Sequence, residues 1–141
     1  MSQRNIRLLR RFIASFNERD LDAMLARIHP DVEWESAFAA LSGATYRGHE
    51  GVREWHRDMQ EAWGGEIRTE PEAFFDLGER TLSFVVVRGR GMGSSVEVAM
   101  PAAHVIGWQD GLIVHFKAYR RREEALGDLG LSDDELEPIA P

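Results

Sequence analysis

The segment HVIGWQDGLIVHFKAY, residues 104–119, restricts the fold of this chain more than any other part of the sequence. Two apolar runs flank Asp110 and Gly111, a dipeptide typical of the two-residue turn of a β-hairpin. If these two residues form the turn, Gln109 pairs with Leu112. Because side chains alternate along a strand, this pairing assigns every other residue of the hairpin to one of its two faces.

The resulting register predicts an apolar inner face and a mixed outer face. The inner face includes Ala103 and Phe116, whereas His104 lies on the outer face opposite Lys117, with His115 as its diagonal neighbour. The lysine cation would repel a metal ion, so we interpret both histidines as residues of the frame or of a dimer surface. A longer turn would shift the register and bring His104 into the interior.

The rest of the sequence divides into a helical part and a β part. Apolar residues recur at helical spacing over residues 5–17 and 49–63, and a shorter helix is predicted between Asp20 and Pro30. Strands are predicted at residues 31–36, 70–75, 82–88, 96–106 and 112–119. This order predicts an α+β fold with three N-terminal helices packed on a strongly curved, mostly antiparallel sheet.

Composition limits the function and the domain organisation. The net charge is −7, which argues against nucleic-acid binding, and the absence of cysteine excludes disulfides and thiolate zinc sites. No apolar run approaches the ~20 residues of a membrane span, so we expect a cytoplasmic protein that binds no membrane. We predict one domain over residues 1–128, followed by an acidic, mobile tail over residues 129–141.

Three segments resemble the nuclear-transport-factor-2-like superfamily, and within it the SnoaL-like (polyketide-cyclase-like) branch. They read FIASFNERDLDAMLARIHPDVEWES, YRGHEGVREWHRDM and HVIGWQDGLIVHFKAYRRREEAL, and the resemblance extends over residues 5–127. It implies a cone-shaped fold with a pocket at its mouth and a homodimer formed through the outer sheet face. The superfamily contains isomerases, cyclases, hydrolases and non-catalytic binders, so the fold does not select a reaction.

The resemblance and the helical spacing together indicate a pocket with few polar groups. His56 lies on the apolar stripe of the third helix and is our candidate acid/base, and Arg88 is our candidate for holding an anion. The predicted substrate-binding residues are Trp34, Ser36, Phe38, Trp55, Met59, Phe84, Ala103, Phe116 and Arg120. We predict no metal and no cofactor.

The predicted function is acid/base chemistry of the isomerase, cyclase or hydratase type on a small organic molecule. The alternative is a non-catalytic ligand-binding or dimerisation module of the same fold. The positions matching the aspartate base, tyrosine and acid of ketosteroid isomerases hold Ser36, Phe12 and Ala103, so we do not expect steroid isomerisation by that mechanism. Whether the cone is hollow or filled by tryptophans stays open at this point.

Overall fold

The N-terminal part of the chain is mainly helical and the remainder is mainly β-sheet. The computed structural model describes residues 3–36, 44–63, 66–90 and 96–140. Its elements are α1 (Arg4–Asn17), α2 (Leu21–Leu25), β1 (Ile28–Ser36), β2 (Ala44–Arg47), α3 (Gly48–Trp63), β3 (Arg68–Asp76), β4 (Arg80–Arg90), β5 (Glu97–Gln109), β6 (Leu112–Tyr119), α4 (Arg122–Leu129) and a 3₁₀ turn at Asp133–Glu135. The predicted α+β class is confirmed, with α4 as an additional helix after the sheet.

The six strands form one sheet in the order β2-β1-β6-β5-β4-β3. β1 and β6 run parallel, and the other neighbours are antiparallel. The prediction of a mostly antiparallel sheet is therefore confirmed. The N-terminal helices pack on the inner face, where the apolar stripe of α1 is buried.

The C-terminal end of α1 is fixed to β3 by the Asn17 side chain, which forms the two backbone hydrogen bonds that a neighbouring strand would form. The Asn17 amide donates to the Thr69 carbonyl oxygen over 2.8 Å and accepts from the Thr69 backbone N–H, also over 2.8 Å. Both bonds satisfy backbone groups at the edge of the sheet. They hold one helix and one strand of the inner layer at a fixed distance.

The helix α2 is shorter than the sequence pattern predicts. The Asp20 carboxylate accepts from the Ala23 backbone N–H over 3.1 Å and caps the helix, as expected. The helix ends at Leu25, and β1 begins at Ile28. The residues that precede Pro30 are extended because a proline disfavours helical geometry before it.

The hairpin has the predicted turn but a different register beyond it. Asp110 and Gly111 have φ values of 52° and 78°, as a two-residue turn of type I′ requires. Gln109 pairs with Leu112 as predicted, but two steps further the register shifts at a bulge, and Gly107 lies opposite His115. The extra residue in β6 shifts the two strands by one position, so beyond the bulge His104 and Ile106 of β5 share the inner face with Phe116 and Ala118, and the face predicted for each β5 residue is reversed.

The outer face of the sheet carries a second, smaller apolar cluster under α4. Ala103, Val105 and Tyr119 pack there against Ala125 and Leu126. The chain then returns to the sheet edge, where residues Phe74 and Ile139 exchange backbone hydrogen bonds of 3.0 and 2.7 Å. Within the described ranges, no helix has the length and apolarity that crossing a membrane requires.

Candidate functional site

An apolar cavity of about 40 Å³ lies between α1, α3 and the inner face of the sheet. Its wall comes from both helices and from every strand of the sheet except β2. The lining residues are Leu9, Phe12, Ile13, Phe16, Trp34, Ser36, Trp55, Met59, Thr69, Val87, His104, Ile106, Phe116 and Ala118. Three of them, Ser36, Thr69 and His104, carry polar groups other than an indole.

Packed aromatic rings form much of this wall. The Trp34 ring stacks on Phe116 with centroids 4.1 Å apart and planes 12° apart. The Trp34 ring also lies 5.0 Å from the Trp55 ring of α3 and 6.0 Å from the Phe12 ring of α1, measured between centroids. Such stacked and tilted pairs are favourable ring arrangements, so the aromatic wall is rigid. The tryptophans therefore fill most of the cone and leave a small space.

Among the described residues of this wall, His104 is the one with an imidazole, carboxyl or amino group. The bulge places it opposite Ala118, on the same face as Ile106, and its ring lies 4.9 Å from the Phe116 ring. The side chain is 9% exposed, and burial lowers its pKa from 6.5 to about 4. The imidazole is therefore neutral at physiological pH, with one nitrogen able to accept a proton and the other able to donate one.

The sequence prediction that His104 faces outward is wrong, and so is the prediction that Ala103 faces the pocket. Ala103 was expected in the pocket, but it packs in the outer cluster under α4. The missed signal was Gly107, because a glycine inside a strand often marks a bulge. His115 does lie on the outer face, where its Nε2 is 2.9 Å from the Glu35 carboxylate.

Five of the predicted substrate-binding residues do line the cavity. They are Trp34, Ser36, Trp55, Met59 and Phe116. Alternation along β1 predicted the inward position of Trp34 and Ser36, and helical spacing along α3 predicted that of Trp55 and Met59. Phe116 lies on the inner face of β6, as expected. Phe38 was predicted beside them and falls outside the described residues.

Phe84 of β4 was predicted to line the pocket, but its side chain lies on the outer face of the sheet. Phe84 contacts Phe75, with centroids 5.0 Å apart, and the Arg122 guanidinium covers its ring at 4.9 Å. Val87, one residue out of phase with the prediction, lines the cavity instead. Pairing with the bulged β3 and with β5 fixes this phase, which the continuous apolar run FVVV at residues 84–87 of β4 does not reveal by alternation.

Arg88 shares the outer face and does not reach the cavity. Its guanidinium binds the Glu70 carboxylate, and the two side chains are 39% and 41% exposed. The hydrogen bond from Arg88 holds the pKa of the Glu70 carboxyl below its usual range. Arg120 follows directly after β6 and is exposed, also away from the cavity wall. Neither arginine is placed where it could hold an anion inside the cavity.

His56 lies beside the cavity wall and is not part of it. Its ring is 6.5 Å from the Phe16 ring and 6.3 Å from the Trp55 ring, measured between centroids. Burial lowers the pKa of His56, and the nearby Arg19 cation lowers it further. Its buried Nε2 has no hydrogen-bond partner among the described residues. The third helix therefore presents Trp55 and Met59, and not His56, to the cavity.

This fold has counterparts among known proteins. The sequence model of the SnoaL-like domain matches residues 9–116. The chain belongs to the SnoaL-like family. No curated protein sequence matches it. The nuclear-transport-factor-2-like relationship expected from the sequence is also confirmed by the solved structures that share the fold.

Three of these structures illustrate the range of proteins that share the fold. TerC, crystallised with polyporic acid, is 25% identical, with 89% of this chain and 97% of that chain covered and a TM-score of 0.75. An NTF2-like protein of unknown function from Burkholderia pseudomallei is 25% identical, with 88% and 95% covered and a TM-score of 0.76. A hypothetical protein from Catenulispora acidiphila with a ketosteroid isomerase-like fold, in complex with trimethylamine, is 17% identical, with 90% and 95% covered and a TM-score of 0.72. The last shows the fold alone.

Proposed function

We propose that this SnoaL-like protein binds a small, mostly apolar organic molecule in the cavity and that His104 exchanges a proton with it. The observation that carries the proposal is the position of His104, a buried imidazole on the wall of an otherwise apolar cavity. An apolar pocket with a few convergent polar groups is the usual form of a small-molecule site. TerC, a relative of the same fold, was crystallised with polyporic acid, which supports a small-molecule ligand here.

The environment of His104 determines what kind of proton transfer it could perform. Burial disfavours the imidazolium, so the free site keeps the imidazole neutral. If the imidazole removes a proton from a neutral bound molecule, the products are an imidazolium and an anion side by side. Their attraction in an apolar cavity offsets part of the cost of burying each charge. His104 is therefore suited to a substrate whose conjugate base stays in contact with it.

The size of the cavity restricts the ligand. A cavity of about 150 Å³ accommodates benzene, whereas this one measures about 40 Å³. A ligand with a ring therefore requires a wall side chain to move. Met59 is the residue best able to do so, because an unbranched thioether side chain changes rotamer more easily than the stacked rings.

An exchange experiment tests this function without knowledge of the natural substrate. Cyclopentanone is incubated with the protein in D₂O, and the loss of the α-proton signal is followed by NMR. Abstraction of an α-proton by His104 forms an enolate and an imidazolium that carries this proton. The imidazolium exchanges the proton for a deuteron from D₂O, and transfer of that deuteron to the enolate carbon restores the neutral imidazole and the ketone with one deuterium. We expect exchange above the buffer rate for the wild type and none above it for His104→Leu.

One further variant, compared with His104→Leu, decides which histidine is responsible. His56→Leu should retain the exchange, because His56 does not line the cavity. Loss of exchange in His56→Leu with retention in His104→Leu would return the acid/base role to His56, as the sequence suggested. Binding of each probe is measured separately by the change in Tm, since a ligand that binds the folded state raises its stability.

Ligand binding without catalysis is the second candidate function. It is favoured by the absence of any carboxylate among the described lining residues, so that His104 would have to act without an acidic partner. A wild-type protein that binds cyclopentanone but does not exchange its protons would support this second function.

We also propose a homodimer formed through the outer sheet face, as the family resemblance implied. The α4 helix already covers the part of that face around Ala103 and Tyr119. A second copy would then contact the strands β1 and β6, where His115 Nε2 lies 2.9 Å from the Glu35 carboxylate. Sedimentation velocity of the wild type tests this, and a monomer at micromolar concentration would contradict it.

A further inference from the structure

The two tryptophans of the cavity wall carry buried hydrogen-bond donors without an acceptor. Neither Trp34 Nε1 nor Trp55 Nε1 has a hydrogen-bond partner among the described residues, and the side chains are 0% and 4% exposed. Leaving such a group unpaired in the interior costs free energy, so buried donors are rarely left so. Trp108 shows the usual arrangement, because its indole N–H donates to Thr81 Oγ1 over 3.0 Å.

These two unpaired N–H donors lie close to each other in the structure. Trp34 comes from β1 and Trp55 from α3, and the centroids of their rings lie 5.0 Å apart. Both residues line the same cavity, and because neither nitrogen is exposed to its open space, a ligand reaches them when a wall side chain moves. The stack of Trp34 on Phe116 is made by the ring faces and makes no use of the N–H. The nitrogen atoms are therefore the part of these side chains that packing does not explain.

We infer that the indole N–H groups of Trp34 and Trp55 bind a carbonyl oxygen, so that the ligand of this cavity is a small neutral carbonyl compound. An indole nitrogen only donates, so its partner must be an acceptor. A carbonyl oxygen has two lone pairs and can accept from two donors at once. This inference rests on the proposed function, because it specifies the ligand of the same cavity.

The electrostatics of the wall favour a neutral acceptor over a charged one. None of the described lining residues is an arginine, lysine, aspartate or glutamate. A carboxylate would be buried without a cation, and an ammonium would be buried without an anion and would also leave both indoles unpaired. The low pKa of His104 reports the same resistance of this cavity to charge.

Three probes with one carbon skeleton test the inference. Cyclopentanone, methylenecyclopentane and cyclopentylamine have similar sizes but offer an acceptor, no polar group and a cation. We expect cyclopentanone to bind about tenfold or more tightly than methylenecyclopentane, as two neutral hydrogen bonds would provide, and cyclopentylamine to bind most weakly. Equal affinities for the ketone and the hydrocarbon would overturn the inference while leaving the cavity as a binding site.

Indole NMR signals provide a direct readout in the wild-type protein. The chain has four tryptophans, and ¹⁵N labelling gives one side-chain N–H signal for each. Cyclopentanone should shift the signals of Trp34 and Trp55 downfield in ¹H, whereas methylenecyclopentane should not. Trp108, whose N–H is already bonded, and Trp63, whose unpaired N–H does not belong to the cavity wall, are the internal controls.

The possible results separate the inference from the proposed function. If none of the probes binds, the proposed function fails and the inference fails with it. If all three bind and the Trp34 and Trp55 signals respond no more than that of Trp108, the function stands and the inference is wrong. Trp55→Phe and Trp34→Phe assign the signals, and where they fold they should weaken cyclopentanone binding several-fold more than methylenecyclopentane binding.

Discussion

The burial of His104 predicts a specific loss of stability in mild acid. The unfolded chain has a histidine with a pKa of 6.5, and burial lowers the pKa in the folded protein to about 4. Between these values the unfolded state binds a proton that the folded state does not, so stability falls as the pH falls. Above pH 6.5 the imidazole is neutral in both the folded and the unfolded state, and His104 causes no loss of stability. Below about pH 4 it is protonated in both states, and the loss of stability has reached its limit.

The size of this loss follows from the two pKa values. The interval from 6.5 to about 4, at about 1.4 kcal/mol for each unit of pKa, gives a limit of about 3 kcal/mol. At pH 5, where the folded protein is still mostly unprotonated at this site, the loss is about 2 kcal/mol. This is a large fraction of the roughly 5–15 kcal/mol by which domains are stable.

Urea unfolding of the wild type and of His104→Leu at pH 7 and pH 5 measures the loss. We expect the wild type to lose about 2 kcal/mol more than the variant between these pH values, whatever the stabilities of the two proteins at pH 7. His56 also has a lowered pKa and acts in the same direction, but it is present in both proteins and cancels.

A matched variant of the cavity wall controls for nonspecific effects of repacking. Thr69→Val changes the wall without removing a titratable group and should keep the wild-type pH dependence. An NMR titration of the His104 imidazole would supply the folded-state pKa directly. Titration near 6.5, or parallel stability curves for the wild type and His104→Leu, would refute the assignment of a buried, neutral His104.

Four further substitutions test other parts of the structure. Gly51→Ala should destabilise the protein by about 1–3 kcal/mol in urea unfolding, because the new Cβ would lie 2.9 Å from the Tyr46 carbonyl carbon. Gly127→Ala in α4 should instead stabilise the protein by about 0.5–1 kcal/mol, because a Cβ there has no atom within 4 Å and alanine favours the helix. Arg122→Lys should cost about 1–2 kcal/mol in the same assay, because lysine lacks the fork with which the guanidinium donates to a β4 carbonyl oxygen over 2.9 Å and binds a carboxylate. Arg88→Ala should leave the Tm shift produced by cyclopentanone unchanged, because Arg88 lies outside the cavity, and a lost shift would contradict that placement.

Local patterns predicted most of the elements. The helix over residues 5–17 corresponds to α1 at Arg4–Asn17, and the strand at residues 112–119 corresponds to β6 at Leu112–Tyr119. These segments have strong periodicity and clear end signals. The strand β2, with four residues, was not predicted, because a run of that length has too little alternation to be recognised.

The cavity was harder to predict because its residues depend on strand phase. Along α3, helical geometry identifies Trp55 and Met59 from spacing alone. Across the hairpin, one inserted residue exchanges the two faces, so His104 and Ala103 changed places relative to the sequence prediction. Phase in a sheet is set by pairing with neighbouring strands, which the sequence of one strand does not contain.

The cavity wall is also the hydrophobic core of the domain, and this limits how the protein can acquire new ligands. Side chains such as Trp34 and Phe116 face the cavity and at the same time hold the helices to the sheet. Enlarging the cavity by truncating one such ring to alanine costs about 3–5 kcal/mol, which is comparable to the whole stability of a small domain. Evolution toward a larger ligand therefore requires either compensating exchanges of volume between facing residues or prior stabilising changes elsewhere. The outer face, where charged pairs such as Arg88 and Glu70 are partly exposed, can accept such changes without altering the ligand.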